Sequence, residues 1–134
     1  MKRARRAIIT GAGLLVVVLA GCPAGGPSAR EKGAMEAAAA LAAGTLELRE
    51  FPPLPSPASH GEYITLLRER CGVAYSVPSL PPGVAHADFI QEVRGWNETM
   101  EAEIRRKFGA DILGQIREEA GKRWQAKIDA GKKR

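Results

Sequence analysis

From Met100 onward the apolar residues return at every fourth position: Met100, Ile104, Phe108, Ile112, Ile116, Ala120, Trp124 and Ile128. No other feature restricts the fold of this chain so much. An α-helix turns once in 3.6 residues, so a spacing of four advances the stripe by about 40° per step. Between Met100 and Ile128 it would wind through about 280° of a straight helix and bury no single face. The stripe has to be broken, and "RRKFGAD" (Arg105 to Asp111) carries the break: cations suited to a last turn, Gly109 as a stop, and Asp111 as the next cap. The pattern predicts a C-terminal helical hairpin, Asp88 to Phe108 and Asp111 to about Ile128. Phe89, Val93 and Trp96 extend the stripe upstream, and Asp88 with Gln91 resembles a capping box. Gly95, Gly114 and Gly121 oppose helix by about 1 kcal/mol each relative to Ala. The closing "AGKKR" is expected to fray.

Prolines punctuate the middle of the chain. "PPLPSP" (Pro52 to Pro57) ends a short strand expected over Thr45–Phe51, where Leu46 and Leu48 alternate with Glu47 and Arg49. Pro52 and Pro55 form a PxxP pair, which reads as a stiff connector. "HGEYITLLRERCG" (His60 to Gly72) predicts a helix. Tyr63, Leu66 and Leu67 share a face, Arg68 and Arg70 suit the last turn, and Gly72 suits a left-handed close. "VAYSV" (Val73 to Val77) alternates as a second strand and stops at "PSLPPG". The two strands can pair in one small sheet, in either direction. The fold class is therefore α+β, mainly α, with short two-stranded sheet elements, one helix and the C-terminal hairpin. The expected core is Leu46, Leu48, Leu66, Leu67, Val73, Tyr75, Phe89, Val93, Trp96, Met100, Ile104, Ile112, Ile116 and Trp124.

The first residues are of another kind. "MKRARR" is cationic, "AIITGAGLLVVVLA" is apolar for about 14 residues, and "LAGC" closes the run. A transmembrane helix needs roughly 20 apolar residues, so the run fits the core of a signal peptide. Leu19-Ala20-Gly21-Cys22 resembles the lipobox of bacterial lipoproteins at all four positions. The resemblance covers about the first 22 residues. It implies cleavage between Gly21 and Cys22, a diacylglycerol on the Cys22 sulfur and an acyl group on its new amino terminus, with no other cofactor. Two or more chains hold a protein durably where one does not. Pro23, rather than Asp, follows the lipidation site. Within this resemblance that favours the outer membrane, at its periplasmic face or the cell surface.

The leader also accounts for the charge. The chain carries +5 at neutral pH, but without Lys2, Arg3, Arg5 and Arg6 its 16 basic residues nearly balance 15 acidic ones. A nucleic-acid partner thus loses its electrostatic footprint. "CPAGGPSAREKG" (Cys22 to Gly33) reads as a flexible tether, and the Ala-rich stretch that follows as a short helix, about Ala34 to Ala43, packed loosely at most. The expected organisation is a signal peptide over 1–21, a tether with an Ala-rich segment over 22–44, and a small globular domain over 45–134.

Candidate chemistry is sparse. Cys71 is the one cysteine left after lipidation. Its place at a helix C-terminus disfavours the thiolate, so it is expected to be a buried small hydrophobe, with a free or disulfide-forming thiol as the alternative. His60 and His86 are expected to be exposed, and neither stands at zinc-ligand spacing from Cys71 or Glu62. Ser56, Ser59, Ser76 and Ser79 lack a nucleophile-elbow context. The charges of the last two helices (Glu98, Glu101, Glu103, Glu118 and Glu119 among Arg105, Arg106, Arg117 and Lys122) read as a solvated, paired face. "RRK" could meet anionic lipid or cell-wall polymer, although dipole matching at a helix end explains it as well. The sequence points to a membrane-anchored protein with an envelope-facing, non-enzymatic binding or scaffolding domain, partnered by the membrane and by an envelope protein or the cell wall. The alternative is a small thiol-dependent enzyme or redox protein using Cys71.

Overall fold

The computed structural model describes residues 25–132. The expected leader, the expected cleavage between Gly21 and Cys22 and the expected lipidation of Cys22 fall on residues outside the described ones. The elements are α1 (Ala29–Ala42), β1 (Glu47–Arg49), α2 (His60–Cys71), β2 (Ala74–Ser76), α3 (His86–Phe108) and α4 (Ile112–Lys132). The class is α+β, mainly α. No helix among the described residues is long and apolar enough to cross a membrane.

β1 and β2 pair in parallel, Leu48 opposite Tyr75, a direction the sequence left open. Parallel neighbours need a long crossover, and α2 supplies it. Both strands are shorter than expected, three residues each, because Pro52 and Pro78 stand just beyond them and proline cannot donate to a ladder. α2 has the predicted bounds and closes on Gly72 in the left-handed conformation, φ 65°.

The first helix departs from expectation. It starts at Ala29 rather than Ala34 and is docked, not loose. Ser28 and Glu31 form a capping box: the Glu31 amide donates to Ser28 Oγ at 3.3 Å, and the Ser28 amide donates to Glu31 Oε2 at 2.8 Å. The signal was present as "SARE", within a stretch whose prolines and glycines suggested a tether. α1 runs antiparallel to α3. Arg30 grips Glu98 through two hydrogen bonds of 2.9 and 2.6 Å, and Lys32 reaches Glu92 at 3.1 Å. Gly33 and Gly95 are buried where the helices cross. A Cβ at Gly33 would fall on the Glu92 carbonyl, and one at Gly95 on the Arg30 carbonyl. The glycine that opposes helix in α3 is the one that admits α1.

α3 begins at His86, two residues before the expected Asp88 cap, and its N-cap, Ala85, makes no side-chain cap bond. Gly109, φ 107°, ends it as predicted. α4 starts right after Asp111, whose carbonyl accepts the Gln115 amide at 3.0 Å. It continues to Lys132, so Ala130–Lys132 is helical rather than frayed. The break is real, and α3 and α4 follow one another across Gly109–Asp111 and touch. α4 lies chiefly against α2, antiparallel, with the Arg70–Glu119, Glu69–Arg123 and Glu62–Lys127 pairs between them.

One apolar cluster joins Leu48, Leu66, Leu67, Val73, Trp96, Met100, Ile104, Ile112 and Ile116. Ala37, Cys71, Leu113 and Ala120 belong to it as well. Trp124 does not: it is 36% exposed, because the stripe has rotated off the α2 face by that turn. Leu46 and Tyr75 are only partly buried, on the cluster's margin.

Candidate functional site

The short sheet leaves a recess beside it. The outer edge of β1 faces α3, and two side chains close it. Trp96 Nε1 donates to the Glu47 carbonyl at 2.8 Å. Asn97 acts as a substitute strand: its Oδ1 accepts the Arg49 amide at 2.9 Å, and its Nδ2 donates to the Arg49 carbonyl at 2.6 Å. These bonds fix the backbone of Arg49, whose guanidinium lies over the Trp96 ring, 3.3 Å from the centroid. Across the recess the first turns of α2 present His60 and Tyr63, and β2 presents Tyr75. From α4, Arg117 places its guanidinium 5.6 Å from the Tyr63 ring centroid. These groups line a cavity of about 350 Å³ with Leu48, Pro57, Ser59, Asn97, Glu101 and Ala120. A second, more open cavity of about 380 Å³ adjoins it, with Arg49, Asn97 and Glu101 as the shared wall and Phe51, Pro52, Leu54, Ile90 and Val93 as its apolar lining.

Glu50, at the end of β1, ties the recess together. It accepts the Tyr75 hydroxyl at 2.9 Å and the Leu54 amide at 3.2 Å, and lies 3.6 Å from His60 Nε2. The Tyr75 bond is the main reason its carboxyl is held below the usual range, against the opposing effect of burial. Burial first, and then the Glu50 carboxylate, push the Tyr75 phenol well above its ordinary value. Burial likewise raises the Tyr63 phenol. His60 was expected to be exposed. It is instead packed between Tyr63 and Tyr75, with ring centroids 6.1 and 5.3 Å away, and its Nε2 is buried with no hydrogen-bond partner. The connector meets α2 where the His60 amide donates to the Pro57 carbonyl at 2.9 Å, and no local pattern in the sequence announces that the ring will turn inward.

The other sequence candidates lie elsewhere. His86 is exposed at the start of α3, its ring 5.2 Å from Phe51. Cys71 is a free, buried thiol in the apolar cluster. Burial raises its pKa, only partly offset by Arg70, which is the direction away from a reactive thiolate. It stands at the far end of α2 from His60, about 16 Å away at the helical rise. Among the described residues no three His, Cys, Asp or Glu side chains group as metal ligands. Arg49, Asn97 and Arg117 were not singled out as binding residues by the sequence. Arg49 sits in a strand expected from its leucines, Asn97 is a polar neighbour of a core tryptophan, and Arg117 reads as one more charge on a solvated helix.

Comparison with protein-family models, curated proteins and solved structures found no match for this chain.

Proposed function

We propose that this chain is a lipid-anchored protein of the bacterial cell envelope whose domain is a non-enzymatic binding module. The anchor rests on the cationic start, the short apolar run and the complete box that ends at Cys22. The binding role rests on one observation: Arg49, His60, Tyr63, Tyr75 and Arg117 converge on about 350 Å³ of space. Small-ligand sites are concave, carry aromatic faces and a few placed polar groups, and span about 300–1,000 Å³. The thiol that an enzymatic reading would use is remote from this recess and buried.

Intact mass spectrometry of the protein from the membrane fraction tests the anchor. The expected mass is that of a chain beginning at Cys22 and carrying diacylglycerol and an N-acyl group. A chain that keeps Met1, or begins elsewhere, would overturn it. For the domain, Cys71→Ser is expected to leave ligand binding and phenotype unchanged; loss of either with the fold intact would restore the thiol chemistry.

A further inference from the structure

We infer that the cavity between the sheet, α2, α3 and α4 takes a small organic monocarboxylate with a flat apolar body. This rests on the binding-module reading and names its ligand. The charge on the lining comes first. Arg49 and Arg117 are its cations and Glu101 its carboxylate, and Glu101 already pairs with Arg105 at 2.8 Å, outside the cavity. Arg117 is in no ion pair among the described residues. Arg49 has only Glu47, 3.8 Å from its Nε, and Glu47 also accepts the Ser76 hydroxyl. Glu50 is not part of the lining, and its carboxylate is held by the Tyr75 hydroxyl and the Leu54 amide. Among the lining residues themselves the two guanidiniums exceed the one carboxylate by a single charge, which one ligand carboxylate balances and a phosphate dianion would exceed.

Geometry agrees with charge. A guanidinium presents a planar fork of donors that matches the two oxygens of a carboxylate. The Arg49 guanidinium is placed in advance, 3.3 Å from the Trp96 ring centroid, with its backbone amide and carbonyl both bonded by Asn97. A site whose donors are already placed loses little freedom on binding. His60 Nε2 is the one buried side-chain nitrogen or oxygen among the described residues with no partner. The Glu50 Oε2 acceptor stands 3.6 Å away, just beyond hydrogen-bond reach. Such unsatisfied groups are rare because they are costly, and a ligand polar atom would satisfy this one. Beside the polar Ser59 and Asn97, the rest of the lining is the rings of Tyr63 and Tyr75 with Leu48, Pro57 and Ala120, which suits a flat apolar body. At about 30 Å³ per non-hydrogen atom the cavity holds roughly a dozen such atoms.

The test is a titration of the full chain, purified from membranes in detergent, with 3-phenylpropionate, its neutral amide and inorganic phosphate. The mass of the same preparation reports the anchor independently. The acid is expected to bind saturably and one to one, the amide at least about tenfold more weakly, and phosphate not to displace the acid. Arg49→Gln and Arg117→Gln are each expected to weaken the acid about tenfold while leaving the amide unchanged. Arg117 is exposed on α4, so its variant stays informative even where the Arg49 variant fails to fold. Equal binding of acid and amide would overturn the carboxylate and leave the binding module standing. So would displacement of the acid by phosphate, or full acid affinity in Arg117→Gln. No saturable binding of either compound at millimolar concentration would also overturn it, and the module would then depend on a screen of neutral and cationic compounds.

Discussion

Gly33 and Gly95 face each other's helix at the α1–α3 crossing, where a methyl group would meet main-chain carbonyls. Backbone cannot swing aside as a side chain can, so added volume has to be taken up by separating the helices. Gly95→Ala is therefore expected to destabilise the protein by about 1–3 kcal/mol, although alanine is the better helix former. Gly114→Ala supplies the contrast. No atom lies within reach of a Cβ there, and the change is expected to stabilise by about 1 kcal/mol. Thermal unfolding of the two variants checks both signs. A rise in Tm for both would mean that α1 does not pack on α3 as described. At the same scale Glu50 gives a pH dependence. Its carboxyl is depressed in the folded state, chiefly by the Tyr75 hydroxyl. A depressed carboxyl contributes stability above its unfolded pKa of about 4.3 and loses that contribution as pH falls through the folded value. Tyr75→Phe is thus expected to lower the urea midpoint more at neutral pH than near about pH 3. Equal losses at both would separate the tyrosine from the carboxylate.

At the scale of elements, the stripe of period four told that the C-terminal helices must break, and Gly109 with Asp111 told where. It did not tell what the second helix would pack on. α4 goes to α2 because Ile112, Leu113, Ile116 and Ala120 meet Leu66, Leu67 and Cys71 in the apolar cluster. The same rotation of the stripe that forced the break carries Trp124 out of the core. The cross-helix pairs Arg70–Glu119 and Glu69–Arg123 align with this packing but are largely exposed. Exposed pairs of this kind contribute at most about 1 kcal/mol each, so register follows the apolar contacts rather than the charges. The sheet shows the same division. Alternation and prolines marked the two strands, but two strands of three residues cannot stand alone. They persist because α3 covers β1 with Trp96 and Asn97 and α2 bridges them.

At the scale of the molecule, the Ala-rich segment changes what the proposed anchor would hold. A loose helix would lengthen the tether, whereas a docked α1 puts the attachment of the domain at Ser28, close to Cys22. Native-state hydrogen exchange separates these. Amides around Ala37, which is fully buried, are expected to exchange as slowly as those of α3 near Met100. Exchange at the rate of an open peptide would return α1 to the tether. Only six residues, 23–28, then separate the lipid from the first turn of helix, at most about 3.5 Å each when extended. On the proposed anchoring, the start of α1 stays within about 20 Å of the lipid surface.

The sequence by itself determined the elements. Apolar spacing, glycine stops, prolines and one capping box are local signals, each acting within a turn or two, and they specify α2, the Gly109 break and the core face of α3 with little help. It also carries the leader and box, whose expected chemistry is read from contiguous residues. Tertiary structure alone decided the parallel direction of the strands, the partners of α1 and α4, and the recess. Those depend on surfaces that meet only after the chain has closed on itself. His60, Asn97 and Arg117 stand tens of residues apart, and none has a local pattern that marks it. They become a site because a three-residue strand, a helix start and two later helices bring them to one space.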